Sequence, residues 1–306
     1  MISRRQFSTT LAGLAAGAVL ARCGKARAER QPLRIAISAE MLAGVNVTDA
    51  RASYRIWADQ IAQTLALRHA RFIDQVFVPS AEMIQMIRAG EVDFFALTAL
   101  EFAKTADQID PGWMLLEDVL LNGIDYLLLV HSDSPYRNLQ DLKGAKLLMH
   151  HHPHDCLVRP WLAIQLANLG HKTFDEFFDS PESRDKVAEV VLPVFFRSIQ
   201  AAALSRPAFE MAVELNPQLG RELRILAVSP KMFPNGFWAR KSCNEEDKRV
   251  FEQAMLRTNT IPAGRQALAL FQVTGYSSRS CSVMVSTLDL IRQYESLRKR
   301  AGGKPS

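Results

Sequence analysis

From Leu33 onward, short apolar runs alternate with segments of helical spacing, and that alternation restricts the chain to an α/β architecture. Leu33 to Ser38 (LRIAIS), Phe72 to Val78 and Val92 to Leu97 read as strands bounded by polar or turn residues. Between the first two, Tyr54, Trp57, Ile61 and Leu65 fall on one helical face. Pro79-Ser80 opens a helix that runs through Arg88 and stops at Gly90. Thr98 followed by Glu101 has the spacing of a capping box, and Thr173 with Glu176 repeats it. Leu115 to Val130 is a longer extended stretch broken by Asn122-Gly123, and Asn138 to Lys146 a short helix ended by Gly144. A strand at Lys146 to Met149 leads to a helix at Cys156 to Leu169. Val187 to Phe196 and Gln200 to Leu204 read as strands. Ser205-Arg206-Pro207 then begins a helix, because proline is tolerated in a first turn. Ile225 to Val228 is a strand, and Gly236 to Arg240 leads into a helical region from Glu245. The expected product is a mainly parallel sheet covered by helices.

Residues 1–28 stand outside this pattern. Arg4, Arg5 and Phe7 precede the apolar run Leu11 to Ala21, whose 11 residues fall well short of the roughly 20 that span a bilayer. Ala26 and Ala28 complete an A-x-A cleavage pattern, and Ser3 to Phe7 resembles a twin-arginine export motif. Cleavage after Ala28 and a mature chain of 29–306 are expected, with an uncleaved amphipathic anchor as the alternative. Lipid anchoring at Cys23 is the lesser reading, since Arg22 is a poor neighbour for it.

The net charge of +5 would by itself suggest a nucleic-acid or membrane-surface partner. Residues 1–28 hold five of the 37 lysines and arginines and no acidic residue, leaving 32 basic against 32 acidic residues. The basic excess therefore belongs to the export signal, and no nucleic-acid partner is expected. Cys156, Cys243 and Cys281 remain, without C-x-x-C spacing and odd in number, so at most one disulfide forms. Neither G-x-S-x-G, a P-loop, nor G-x-G-x-x-G after the first strand is present. Cys156, beside Asp155 and four histidines, permits a thiol nucleophile in principle, although burial as a small hydrophobe is commoner. The chain reads as a non-enzyme without a cofactor.

The order of segments carries a resemblance. LRIAIS, MIRAGEVDFFALTALEFAK, YLLLVHSDSPYRNLQDLKGAKLLM, AFEMAVELNPQLGRELRILAVSP and PAGRQALALF follow one another across 33–275. Within them, Arg88, Gly90 and Asp93 form R-x-G-x-x-D, and Asp133 to Gly144 form D-S-x-x-x-x-L-x-D-L-K-G. The chain resembles the phosphate/phosphonate ABC-transporter substrate-binding proteins, the PhnD-like group of type II periplasmic binding proteins. The resemblance implies two α/β lobes with a small solute held between them: 29–122 plus 229–306, and 123–228. Crossings are expected near Leu120 to Tyr126 and Ala227 to Trp238. It also implies a periplasmic monomer that closes around its ligand. Its partner would be an ABC permease or a membrane sensor.

Small anions favour helix N-termini beyond the carboxyl ends of strands. Four places qualify: Ala39 and Glu40, Thr98 and Ala99, the loop His150 to Asp155, and Ser205 with Arg206. The family often places an aromatic or hydroxyl where Tyr126 lies, and in some relatives a tyrosine near Tyr54 contacts ligand. Thr98 reads first as an N-cap and Tyr54 first as core. Glu40 departs from an anion site, since its carboxylate would repel one.

Relatives place a Ser/Thr/Gly-rich loop where this chain has His150-His151-His152-Pro153-His154-Asp155. Here the histidines are open to three roles: hydrogen bonds to an oxyanion, metal ligation with Asp155, or a solvated loop. On an extended segment His150 and His152 share a side that His151 does not.

Overall fold

A computed structural model describes residues 33–46, 48–52, 70–171, 173–270 and 273–300. The export signal, Cys23 and the helical face of Tyr54 lie outside the described residues. The strands are β1 (Leu33–Ser38), β2 (Ala70–Val78), β3 (Phe94–Thr98), β4 (Ile109–Glu117), β5 (Tyr126–His131), β6 (Leu147–His150), β7 (Glu182–Arg184), β8 (Ala201–Ser205), β9 (Leu223–Val228), β10 (Asn235–Arg240) and β11 (Tyr276–Arg279). They form two sheets, ordered β11-β4-β10-β3-β1-β2 and β7-β6-β8-β5-β9.

Both sheets are mixed rather than mainly parallel. In the first, β1 pairs parallel with β2 and β3, whereas β10 runs antiparallel to β3 and β4, and β11 to β4. In the second, β6 is parallel to β7 and β8, whereas β5 is antiparallel to β8 and β9. The antiparallel members sit where the chain passes between sheets: it enters the second through β5 and returns through β10. The two passing segments touch through an antiparallel bridge, Ile124 to Met232, with N–H···O distances of 2.9 and 2.8 Å. Gly123, at φ +66, makes the turn just before it.

The helices are α1 (Ser80–Ala89), α2 (Ala99–Thr105), α3 (Val158–Asn168), α4 (Phe174–Phe177), α5 (Val187–Phe195), α6 (Arg206–Leu215), α7 (Pro217–Glu222), α8 (Glu245–Leu256), α9 (Pro262–Leu270) and α10 (Val285–Arg300). Alternation along β3 sends Phe95 and Leu97 to a cluster that includes Ile87 of α1, Phe102 of α2 and Leu128 of β5. Phe94 and Ala96 face the other way, where Phe94 stacks on Phe251 of α8 at 4.2 Å. A third cluster joins Leu127 and Leu129 of β5 to α5 and Phe209 of α6. Helix α10 packs on both α2 and α3.

Residues 187–195 are helical, against the strand expected from their apolar run. Val190, Val191 and Val194 are buried at i, i+1 and i+4, a helical stripe that the dense valines disguised. Strands β7 (ESR) and β11 (YSSR) escaped the sequence because they are short, polar edge strands. Among the described residues, no helix is long and apolar enough to cross a membrane.

Candidate functional site

The carboxyl ends of β1 and β3 in one sheet and of β6 in the other lead into a single buried polar cluster. Glu101, 2% exposed, is its centre on the first sheet's side. Its carboxylate accepts from the Ser38 hydroxyl at 2.5 Å and from the Thr98 N–H and hydroxyl at 2.9 Å each. Thr98 caps α2 as its spacing predicted, and the capping box uses its hydroxyl. The Ala99 N–H donates to the Pro234 carbonyl at 2.6 Å.

On the second sheet's side, Asp155 is 4% exposed. It accepts from the Ser205 N–H at the start of α6, and its other oxygen lies 2.7 Å from His150 Nδ1. The dipole and free N–H groups of a helix N-terminus favour an anion there, and this protein's own carboxylate supplies it. Arg206 is turned aside, holding Asp125 through both carboxylate oxygens at 2.6–3.0 Å. Burial pushes the Asp125 carboxyl upward, but the hydrogen bonds and charge of Arg206 outweigh it and leave the value below the usual range.

The histidine loop fills the space between. His150 and His152 stack, with centroids 5.4 Å apart and planes 4° from parallel, while His151 faces out and bonds Asp185. His152 Nδ1 accepts from the His154 N–H at 3.2 Å, so its proton sits on Nε2. Burial, then the neighbouring histidines, lower its pKa to about 2 and keep it neutral. His154 Nε2 lies 2.7 Å from Glu117, the last residue of β4, so this ion pair links the two sheets. Burial alone would lower the His154 pKa, but attraction to Glu117, their hydrogen bond and the charge of Asp155 raise it. The Tyr126 hydroxyl donates to the His154 carbonyl at 2.9 Å, and burial pushes its pKa well up.

Beneath the loop lies a cavity of about 70 Å³. Ala96, Phe237, Leu268 and Tyr276 contribute to its apolar walls, with Glu117, His152 and His154 at its polar end.

Thr98, Ala99, Tyr126, His150, His152, His154, Asp155 and Ser205 are thus brought together. Glu40 is not: it is exposed and shares a solvent-facing groove with His151. Tyr54 lies outside the described residues. Sequence reading missed Ser38 and Glu117 as cluster members and read Glu101 only as part of a capping box. Of the two missed, Glu117 alone left a trace, as an acid ending the run Met114 to Leu116. One ring nitrogen of each of His150, His152 and His154 is engaged, by Asp155, the His154 N–H and Glu117 in turn. Among the described residues, no three His, Cys, Asp or Glu side chains are arranged to hold a metal ion. Cys156 is no activated thiol: burial raises its pKa, and it donates to the Pro234 carbonyl at 3.2 Å. Cys243 and Cys281 are also free.

Two mixed α/β sheets, joined by paired crossing segments and meeting at a buried polar cluster, define a two-sheet binding protein of the type II periplasmic fold. The profile of the ABC-transporter phosphonate periplasmic substrate-binding proteins matches residues 41–282, and the chain belongs to that family. Among solved structures, it is similar to XAC2383 from Xanthomonas citri bound to ATP (16% identity, TM-score 0.62, covering 88% of this chain and 99% of that one). A binding component of an ABC phosphonate transporter from Pseudomonas aeruginosa matches at 16% identity and TM-score 0.57, over 89% and 88% of the two chains. PhnD1 from Prochlorococcus marinus, in complex with methylphosphonate, matches at 12% and 0.57, over 90% and 99%. At these identities the likeness is one of fold. No curated protein matches the sequence.

Proposed function

We propose that the mature chain is an exported periplasmic receptor that captures a small oxyanion, such as a phosphonate or phosphate, and delivers it to an ABC permease without chemical change. The observation that carries this reading is the convergence of strand ends from both sheets on one buried cluster, in a chain matched to the family over 41–282. Export rests on the twin-arginine-like signal and its site after Ala28. The lobes are 29–122 with 229–306, and 123–228, hinged at the Ile124–Met232 bridge. Ligand draws them together by binding the closed form better than the open one.

In this reading His150, His152 and His154, with Tyr126, Thr98 and Ser205, replace the hydroxyl-rich loop of relatives as donors. Asp155 and Glu101 hold those donors in place until an anion exchanges with them. The test is isothermal titration and thermal unfolding of the mature protein with methylphosphonate, 2-aminoethylphosphonate and inorganic phosphate. At a ligand concentration of 100 Kd, stabilisation by about 2.7 kcal/mol is expected. Absence of heat and of any rise in Tm with all three would overturn the oxyanion reading.

A further inference from the structure

Asn235 opens β10 and stands opposite Thr98 in the antiparallel pairing with β3. Side chains two residues apart on a strand share a face, so Asn235 lies on the side that carries Phe237 and Ala96, both walls of the cavity. It is 0% exposed, and neither its amide nitrogen nor its amide oxygen has a partner among the described residues. Among the buried side-chain atoms of the described residues, no other side chain leaves both a donor and an acceptor unmatched. Protein interiors pair nearly all such groups, so one left open in both senses points to a missing partner.

The main chain beside it is fully engaged. The Pro234 carbonyl accepts from Ala99 of the first sheet's side and from the Cys156 thiol of the second. Asn235 therefore sits where the two sides meet, beside a cluster that already buries the carboxylates of Glu101, Asp155 and Glu117.

We propose that the Asn235 amide reads the ligand's head group and selects oxyacids that keep one proton over fully ionised ones. This rests on the oxyanion reading above and narrows it to phosphonate or phosphate monoanions, against sulfonates. An amide presents a donor and an acceptor side by side, and its complement is a group with both on neighbouring atoms. A P–OH beside a P–O⁻ meets that need: the Asn235 nitrogen donates to the ionised oxygen, and its carbonyl accepts from the hydroxyl. A sulfonate has acceptors alone and leaves the amide oxygen unmatched. A second charge on the phosphonate would remove the same hydroxyl and add repulsion from the three carboxylates.

The experiment compares methylphosphonate, inorganic phosphate and methanesulfonate by titration calorimetry, on both sides of the phosphonate's second ionisation. Methylphosphonate should bind on the order of 10- to 100-fold tighter than methanesulfonate, the range set by one unmatched buried group. Its affinity should fall as pH rises through that ionisation. Asn235→Leu should erase the preference, whereas Asn235→Asp, which keeps an acceptor, should retain it. Equal binding of methylphosphonate and methanesulfonate by the wild type overturns the proposal even where Asn235→Leu does not fold. So does an unchanged preference in a folded Asn235→Leu, which would leave the amide matched to water. Binding without discrimination removes only the role of Asn235, while no binding of any probe removes the oxyanion reading with it.

Discussion

The contact of His154 with Glu117 predicts a pH dependence of this protein's stability. The imidazole is pulled two ways, lowered by burial and raised by the Glu117 and Asp155 carboxylates, and the carboxylates prevail. A group whose folded pKa is raised stabilises fully below its unfolded value, near 6.5 for histidine, and the contribution fades as pH climbs through the folded value. Glu117→Gln should therefore destabilise by about 1–3 kcal/mol near neutrality or slightly below, a range typical of hydrogen bonds to charged groups. The gap from wild type should close toward alkaline pH. Urea unfolding across a pH series measures this, and a gap that stays constant with pH would show that the charge of the pair does not matter. His152, one residue pair away, takes no part, because it stays neutral across that range.

At the scale of elements, the crossing segments concentrate constraint in few residues. Gly123 has φ +66, and a Cβ there would lie 3.2 Å from the Met232 carbonyl oxygen and 3.4 Å from its nitrogen, both main chain and slow to yield. Gly123→Ala should cost about 1–2 kcal/mol through its left-handed conformation, and more if the crossing cannot shift. Because the strain falls on the Ile124–Met232 bridge, hydrogen exchange at those two amides should quicken ahead of the sheet interiors. Uniform acceleration throughout the chain would place the strain elsewhere. Helix α5 teaches the complementary lesson: valines favour strands in general, yet three of them on one helical stripe bury well against β5.

For the whole molecule, the arrangement sets what closure must do. Helix α10 packs on α2 beside the first sheet and on α3 beside the second, so the proposed closure would require it to slide. Saturating methylphosphonate should lower the radius of gyration in small-angle scattering, and the fall should be smaller in Glu117→Gln, which loses the ionic link between sheets. A profile unchanged by bound ligand would mean that the binding-competent state is already closed.

Much of the fold was legible in order along the chain. Local periodicity and caps placed β1, β3, α1, α2 and the Thr98–Glu101 box, because these depend on neighbours within four residues. Charge bookkeeping likewise assigned the basic excess to residues 1–28 from composition alone. The histidine loop was visible as unusual, and so was the opposite orientation of His151. Its pairings were not visible, since Glu117 stands 37 residues from His154 and Ser205 stands 50 from Asp155. The directions of the strands, the turning aside of Arg206 and the open amide of Asn235 were likewise beyond reach. Each is fixed by which strands meet across the sheets and by what water is excluded there, and those are properties of the packed chain rather than of any segment of it.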